Sequence, residues 1–305
     1  MKNNRKKIEL LPYVRQDLYG LNPSMVQIHG WEIIKFNISD QWRYSQGEGI
    51  KVAVIDTGCD LDHPDLKNNI LDGINIIDPS KPPQDDNGHG SHVAGTIAAE
   101  NNGYGIVGVA PKAKIIPVKV LDKNGGGTLQ NIIKGIEWSA NNKVDFITMS
   151  LGSPMPSKDL ENAINYASSK GCIIFCAAGN SGPESDIMYP AKYDHTISIG
   201  AIDENLNRTG FTCSGETLDF LAPGHNIIGC VPDNGYAVMS GTSMSNPFAV
   251  GCSVLTQSYY KKIGKPLLSN EDFIRVFKEK AKSLKDPTYA GQKRYEGYGI
   301  MYPVL

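Results

Sequence analysis

No apolar run in this chain of 305 residues is long enough to cross a bilayer, so no membrane-spanning helix is expected. Neither sign of charge is in excess. The formal net charge is −2 and is spread along the chain, which gives no electrostatic case for a nucleic-acid or membrane partner. The six cysteines, Cys59, Cys172, Cys176, Cys213, Cys230 and Cys252, include no C-x-x-C pair. That spacing argues against zinc, and thiols within apolar stretches behave as small hydrophobes in a reducing compartment. A secretory leader is missing as well. After the basic start, Glu9 and Pro12 interrupt Ile8, Leu10 and Leu11, and no small-residue cleavage site follows. These absences point to the cytoplasm. There is no internal repeat, no low-complexity segment and no linker after residue 25.

What is present is a hydrophobic content of 40%, enough for a sizeable core, and 32 glycines, which imply many tight turns. Residues 1–25 differ in character from residues 26–305. They carry basic residues, then Leu10-Leu11-Pro12-Tyr13-Val14, then polar, Gly and Pro positions. Such a segment is either a disordered tail or an extended strand lying in a groove. Beyond it, Trp31 to Trp42 forms a short amphipathic lead-in.

Buried strands are expected at 49–56, 114–120, 144–150, 172–178, 196–201 and 218–222. Helices are expected from Asn87 onward, at 129–141, at 158–170, after Ser243 and at 269–284. This alternation predicts an α/β fold of three layers, with a mostly parallel central sheet flanked by helices. Ligands of such sheets bind beyond the C-terminal ends of the strands. Asp56, Ser150 and Asn180 each follow a predicted strand and so converge on one edge.

The turn Ser240-Gly241-Thr242-Ser243-Met244 leads into an apolar run, with Pro247 expected in the first helical turn. Ser243 is thus an N-cap or a nucleophile set among free N–H groups. The second role needs an acid and an imidazole, which Asp56 and His89 supply, and oxyanion donors, which the Asn180 side chain and the Ser243 N–H supply. His89 and His92 lie three apart on one helix face, and spacing does not choose between them. His63 reads as a turn residue.

Val54-Ile55-Asp56-Thr57-Gly58, Gly88-His89-Gly90-Ser91-His92-Val93-Ala94-Gly95-Thr96, Ser150-Leu151-Gly152, Ala177-Ala178-Gly179-Asn180 and Gly241-Thr242-Ser243-Met244 resemble the five signatures of the subtilisin family of serine proteases. They occur in that family's order, Asp then His then Ser, across residues 40–300. The resemblance implies a subtilisin-like fold and serine endopeptidase activity of broad specificity on proteins and peptides. It implies Asp56 as orienting acid, His89 as general base and then acid, Ser243 as nucleophile and Asn180 as oxyanion donor. Activity should then fall on acidification as the base is protonated.

Substrate is implied to pair as a strand between Ser150, Leu151 and Gly152 on one side and Gly125, Gly126 and Gly127 on the other. Ala177, Ala178 and Gly179 line the pocket for the residue before the cut, and Leu129 contributes to a more distant apolar subsite. The family further implies Ca2+, held by Asp65, Asn102 and carbonyls of the Glu100, Tyr104 and Ile106 loop. A second, weaker cation site uses carbonyls of Ala191, Tyr193 and Thr196.

Leu10-Leu11-Pro12-Tyr13 resembles a Leu-Ile-Pro-Tyr motif of the intracellular subtilisins of spore-forming bacteria, which implies that residues 1–25 are an inhibitory extension. Three departures stand out. Phe248 replaces a histidine, Ser153 replaces a glycine, and the chain stops at Leu305 without the tail that supports the family's dimer, so a homodimer is left open. Two other readings stay open: a narrow processing protease, and a catalytically silent fold that binds peptides.

Overall fold

The computed structural model describes residues 7–18 and 26–305. The ends of the expected extension, residues 1–6 and 19–25, lie outside the described residues. In chain order the elements are β1 Lys7–Leu10, β2 Val14–Asp17, α1 Trp31–Lys35, α2 Ile38–Gln41, β3 Lys51–Asp56, β4 Ile74–Asn75, α3 His89–Ala98, β5 Lys114–Lys119, β6 Gly126–Thr128, α4 Leu129–Asn141 and β7 Phe146–Met149. Then follow β8 Leu151–Gly152, α5 Lys158–Ser169, β9 Ile173–Ala177, β10 Ile197–Ile202, β11 Phe220–Pro223, β12 Ile227–Val231, β13 Gly235–Ser240, α6 Thr242–Lys262, α7 Asn270–Lys280 and α8 Lys293–Glu296.

The main sheet has seven strands in the order β11-β10-β9-β7-β3-β5-β4, and its pairings are parallel. Its strands are continuous Val/Ile/Ala/Phe runs because both faces are covered by helices. α3 packs against α6, and α4 against α5. The chain leaves β3 for β5 on one side and returns to β7 on the other, so β3 lies at the switch point where ligands of such sheets bind. Asp56 is its last residue.

Pro117 sits inside β5 without costing a ladder bond. Ile115 N donates to Asn69 O and Ile76 N donates to Lys119 O, so the odd-numbered residues of β5 face away from β3. Pro117 belongs to that set, opposite the gap before the two-residue β4.

The other proline expectation is corrected. Pro247 is the sixth residue of α6, past the first turn. Its missing N–H would have bonded Ser243 O. That carbonyl accepts the Ser150 hydroxyl instead, at 3.1 Å. The late helix is also shorter than expected. It opens on a Ser269–Asp272 capping box and stops at Lys280, because Ala281 turns extended with ψ 144°.

Two small antiparallel sheets were not foreseen as such. β1 lies between β6 and β8, and β2 adds to the β12–β13 hairpin. The hairpin loop, Pro232-Asp233-Asn234, holds Asp233 and Asn234 at positive φ, 64° and 58°, a conformation these two residue types tolerate. Six free cysteines are all buried.

Candidate active site

Asp56 and His89 meet in the core. His89 Nδ1 lies 2.8 Å from Asp56 Oδ1, with the two side chains 0% and 1% exposed. Thr57 N donates to the same oxygen at 2.8 Å. Among the described residues, His89 Nε2 has no hydrogen-bond partner. His89 opens α3, and a second acid fixes that entry. Asp85 Oδ1 accepts from the Thr57 hydroxyl and from the N–H groups of Asn87 and Gly88, and its Oδ2 accepts from Ser91 N and Oγ. The Thr57 hydroxyl in turn accepts from Gly90 N. Asp85 hides in a polar Gln-Asp-Asp-Asn-Gly stretch that reads as loop, and only its place just ahead of a helix start hints at this role.

His92 is a packed residue. Its Nε2–H donates to Ile227 O at 3.0 Å, and burial lowers its pKa to about 3, so it stays neutral. His63 is also wholly buried, with Nδ1 accepting from Asp65 N and Nε2–H donating to Gly235 O.

Ser243, second residue of α6, is buried, and its hydroxyl donates to Ser150 O at 3.3 Å. Asn180 follows β9. Its Oδ1 accepts from Thr242 N at 2.9 Å and Thr242 Oγ1 at 2.8 Å. That clamp settles which way the amide points. Nδ2 is turned outward and donates to the carbonyl of Pro12 at 2.7 Å. Thr242, part of the Gly-Thr-Ser-Met signature, is a positioning residue that sequence reasoning left without a role.

Residues 7–18 run through this cleft. β1 pairs Ile8 with Gly127, Glu9 with Gly126 and Gly152, and Leu10 with Leu151. Leu10 N donates to Gly125 O at 2.9 Å. Ile8 and Leu11 are each 2% exposed, whereas Lys7 and Glu9 face solvent. A Cβ at Gly152 would lie 2.8 Å from Leu11 Cδ2, so the pocket that takes Leu11 needs glycine there. Met188 forms another wall, lying close to both Gly152 and Gly179. Tyr13 covers His89, their rings 5.0 Å apart. Leu129, at the start of α4, is half-buried and packs against the core. Of the two departures within the fold, Phe248 packs its ring on Phe36 at 5.1 Å, and Ser153 bridges to Tyr189.

The expected cation loop has a shape of its own. The carbonyls of Glu100, Tyr104 and Ile106 converge on the side-chain amide of Gln27, at 3.4, 2.7 and 2.6 Å from Nε2. Asp65 accepts from Asn102 Nδ2, Ile106 N and Tyr236 Oη. Gly105 has φ +60°, and a Cβ there would meet Asp65 Oδ2 at 2.1 Å. The Glu100 carboxylate turns to Asn68 and only its carbonyl faces the loop. The Oε1 of the same amide accepts from Gly103 N at 2.9 Å, so adding that oxygen to the cage would require the amide to turn and give up this bond. The loop carbonyls and the Asp65 carboxylate are oxygen donors of the kind a hard cation takes, although here they accept from amide nitrogens of Gln27 and Asn102. Gln27 lies near the extension in sequence, and no local pattern marked it. At the second expected site, the Thr196 hydroxyl faces the carbonyls of Pro190, Ala191 and Tyr193, at 2.7 Å from the last.

The profile described as the subtilase family matches residues 47–299. Subtilisin BL of Lederbergia lenta is 47% identical over 211 residues, 69% of this chain and 77% of that protein. An intracellular serine protease of Paenibacillus polymyxa is 41% identical over 273 residues, 86% of this chain and 81% of its own. A thermostable alkaline protease of Halalkalibacterium halodurans is 38% identical over 302 residues, 99% of this chain and 80% of its own.

Proposed function

The chain belongs to the subtilase family and is a serine endopeptidase, and from that premise we propose that Asp56, His89 and Ser243 are its catalytic triad and that residues 7–18 hold it latent. The observation that carries the first part is the buried imidazole whose Nδ1 is held by Asp56 at 2.8 Å while Nε2 is left unpartnered. A silent peptide-binding fold would have no use for a buried imidazole kept ready to accept a proton.

In the active form the Ser243 hydroxyl gives its proton to His89 Nε2 as Oγ attacks the scissile carbonyl. The new oxyanion is met by Asn180 Nδ2 and the Ser243 N–H. His89 then protonates the leaving amine, the acyl-enzyme forms, and water reverses the sequence. Asp56 keeps Nδ1 protonated and stabilises the imidazolium. Substrate pairs through its main chain with β6 and β8, which favours broad specificity. A narrow processing role is the second reading, favoured by the Met188 wall of the pocket.

The extension fills this cleft in a register that cannot react. The register of Glu9 and Leu10 puts Leu11 opposite Ser150, with its side chain in the pocket. The carbonyl held by Asn180 belongs to the next residue, Pro12. In a productive strand, pocket side chain and attacked carbonyl belong to one residue. Meanwhile Ser243 donates to Ser150 O, and Tyr13 covers the base. The nucleophile is thus committed elsewhere, and the base has no partner.

Gln27, Asp65, Asn102 and the loop carbonyls would hold calcium as a structural ion, with no part in the chemistry. The cytoplasm is the proposed location, supported by buried free thiols and by likeness to a protein named as intracellular. Among the described residues no helix is long and apolar enough to cross a membrane.

The triad is tested with a fluorophosphonate probe on protein freed of its extension. Peptide mapping should find the label on Ser243 alone. Its absence, or labelling undiminished in Ser243→Ala, would overturn the assignment.

A further inference from the structure

The turn that follows Ser243 reads Ser245-Asn246-Pro247-Phe248 and carries a buried amide that the proposed chemistry does not use. Asn246 is the fifth residue of α6 and is 0% exposed. It lies three residues after Ser243 and so shares a helix face with it. Its Nδ2 donates to Thr148 Oγ1 at 2.8 Å, and lies 3.4 Å from Met149 O and 3.5 Å from Ser150 Oγ. All three acceptors sit at the end of β7, where the chain passes from the main sheet to β8. Among the described residues Asn246 Oδ1 has no partner. The Met149 carbonyl fixes which way the amide points, because turning it over would set Oδ1 against that oxygen. A buried oxygen without a partner works against stability, so packing alone does not account for an asparagine here.

We propose that Asn246 is a positioning residue for the nucleophile. The proposal rests on the reading of Ser243 as that nucleophile. Pro247 leaves Ser243 O without its helical donor, and the Ser150 hydroxyl takes that place at 3.1 Å. In the latent form the Ser243 hydroxyl also donates to Ser150 O at 3.3 Å. Ser150 thus holds Ser243 by its carbonyl, and Asn246 holds the strand end that carries Ser150.

The link joins α6 to β7 directly beneath the reacting centre. A shift of one against the other would move both Oγ and the N–H of Ser243 relative to a substrate paired with β8. Oγ is the attacking atom and the N–H is an oxyanion donor, so both would leave their productive positions together. Asn246 is wholly buried and acts only through Thr148 and Ser150. Loss of its amide should therefore slow bond making and leave substrate binding almost unchanged.

The test uses the full chain activated by limited proteolysis of its extension. Values of kcat and KM for a peptide p-nitroanilide are taken per site titrated by a fluorophosphonate, which removes any loss of folded protein. Asn246→Ala and Thr148→Val, the second of which keeps the side chain's shape, should each lower kcat about tenfold and leave KM within about twofold. The double variant should be no slower than the slower single one, because the two residues act as one unit. Thr148→Val carries the test alone if Asn246→Ala does not fold. Unchanged kcat per titrated site with a lower Tm would reduce Asn246 to packing and overturn the inference, as would losses that add or that fall on KM. A wild type that is neither titrated nor active would instead overturn the peptidase reading, and the inference with it.

Discussion

In the proposed mechanism Asn180 meets the oxyanion with Nδ2, and Thr242 holds its amide in the orientation this requires. Thr242 supplies a backbone and a side-chain donor to Oδ1. Loss of the oxyanion-hole asparagine from a subtilisin is known to cost about 10²–10³ in kcat. Thr242→Val, which keeps the backbone donor, should lower kcat about tenfold with little change in KM. The same change in an Asn180→Ala background should cost almost nothing, because the two residues act as one unit. Additive losses in that double-mutant cycle would show Thr242 acting by another route. Glu32 poses a different question. It is buried in α1, among the described residues its Oε2 has no partner, and burial raises its pKa to about 7. From the usual value of 4.5 up to about 7, the unfolded chain loses this proton while the folded chain keeps it. Stability should therefore fall as pH rises through that window, by roughly 3 kcal/mol, and then level off. Denaturant titrations should find this decline in the wild type and not in Glu32→Gln. Asp56, His89, Ser243 and Asn180 could be singled out in the sequence as candidates because each is embedded in a signature. Thr242, Asp85 and Gln27 were not singled out, since they act by holding other groups in place, and such partners are distant in sequence or masked by loop-like surroundings.

The latency proposed for the extension would come from its being a strand out of register by one residue. Pro12 separates the residue in the pocket from the carbonyl at Asn180. A peptide of residues 7–18 should inhibit the activated enzyme and resist cleavage. Its Pro12→Ala counterpart should be cut at least about 10²-fold faster, the scale of effect expected when a reacting atom moves by about an ångström. Mass spectra of the two peptides over time decide the matter, and equal lifetimes would contradict the role given to the proline. Six of the seven strands of the main sheet were readable because they are largely apolar runs, whereas the two-residue β4 was not expected. β1, β2, β8 and β6 carry no such mark. They are short, polar or glycine-rich, and they exist because β1 pairs with β6 and β8 across the cleft and β2 pairs with β13. The β12–β13 hairpin did carry its Asp-Asn-Gly signal, set between apolar runs that resemble the lead-in to α6.

The whole molecule ties the cleft to the cation loop through α3, which begins at His89 and ends just before Glu100. Calcium bound at 100 times its Kd would stabilise the fold by about 2.7 kcal/mol. Chelation should accordingly lower Tm, and both Gln27→Ala and Asp65→Ala should shrink the rise that calcium restores. A calcium response unchanged in both variants would remove the loop from consideration as the site. The central claim, a serine endopeptidase kept latent by its own first residues, is met most directly by intact mass. Wild type and Ser243→Ala are incubated with calcium while casein hydrolysis is followed alongside. The account predicts that the wild type sheds an N-terminal piece as casein hydrolysis rises, and that Ser243→Ala stays whole and inert. Casein hydrolysis at full rate by protein that still carries residues 7–18, or by Ser243→Ala, would contradict it.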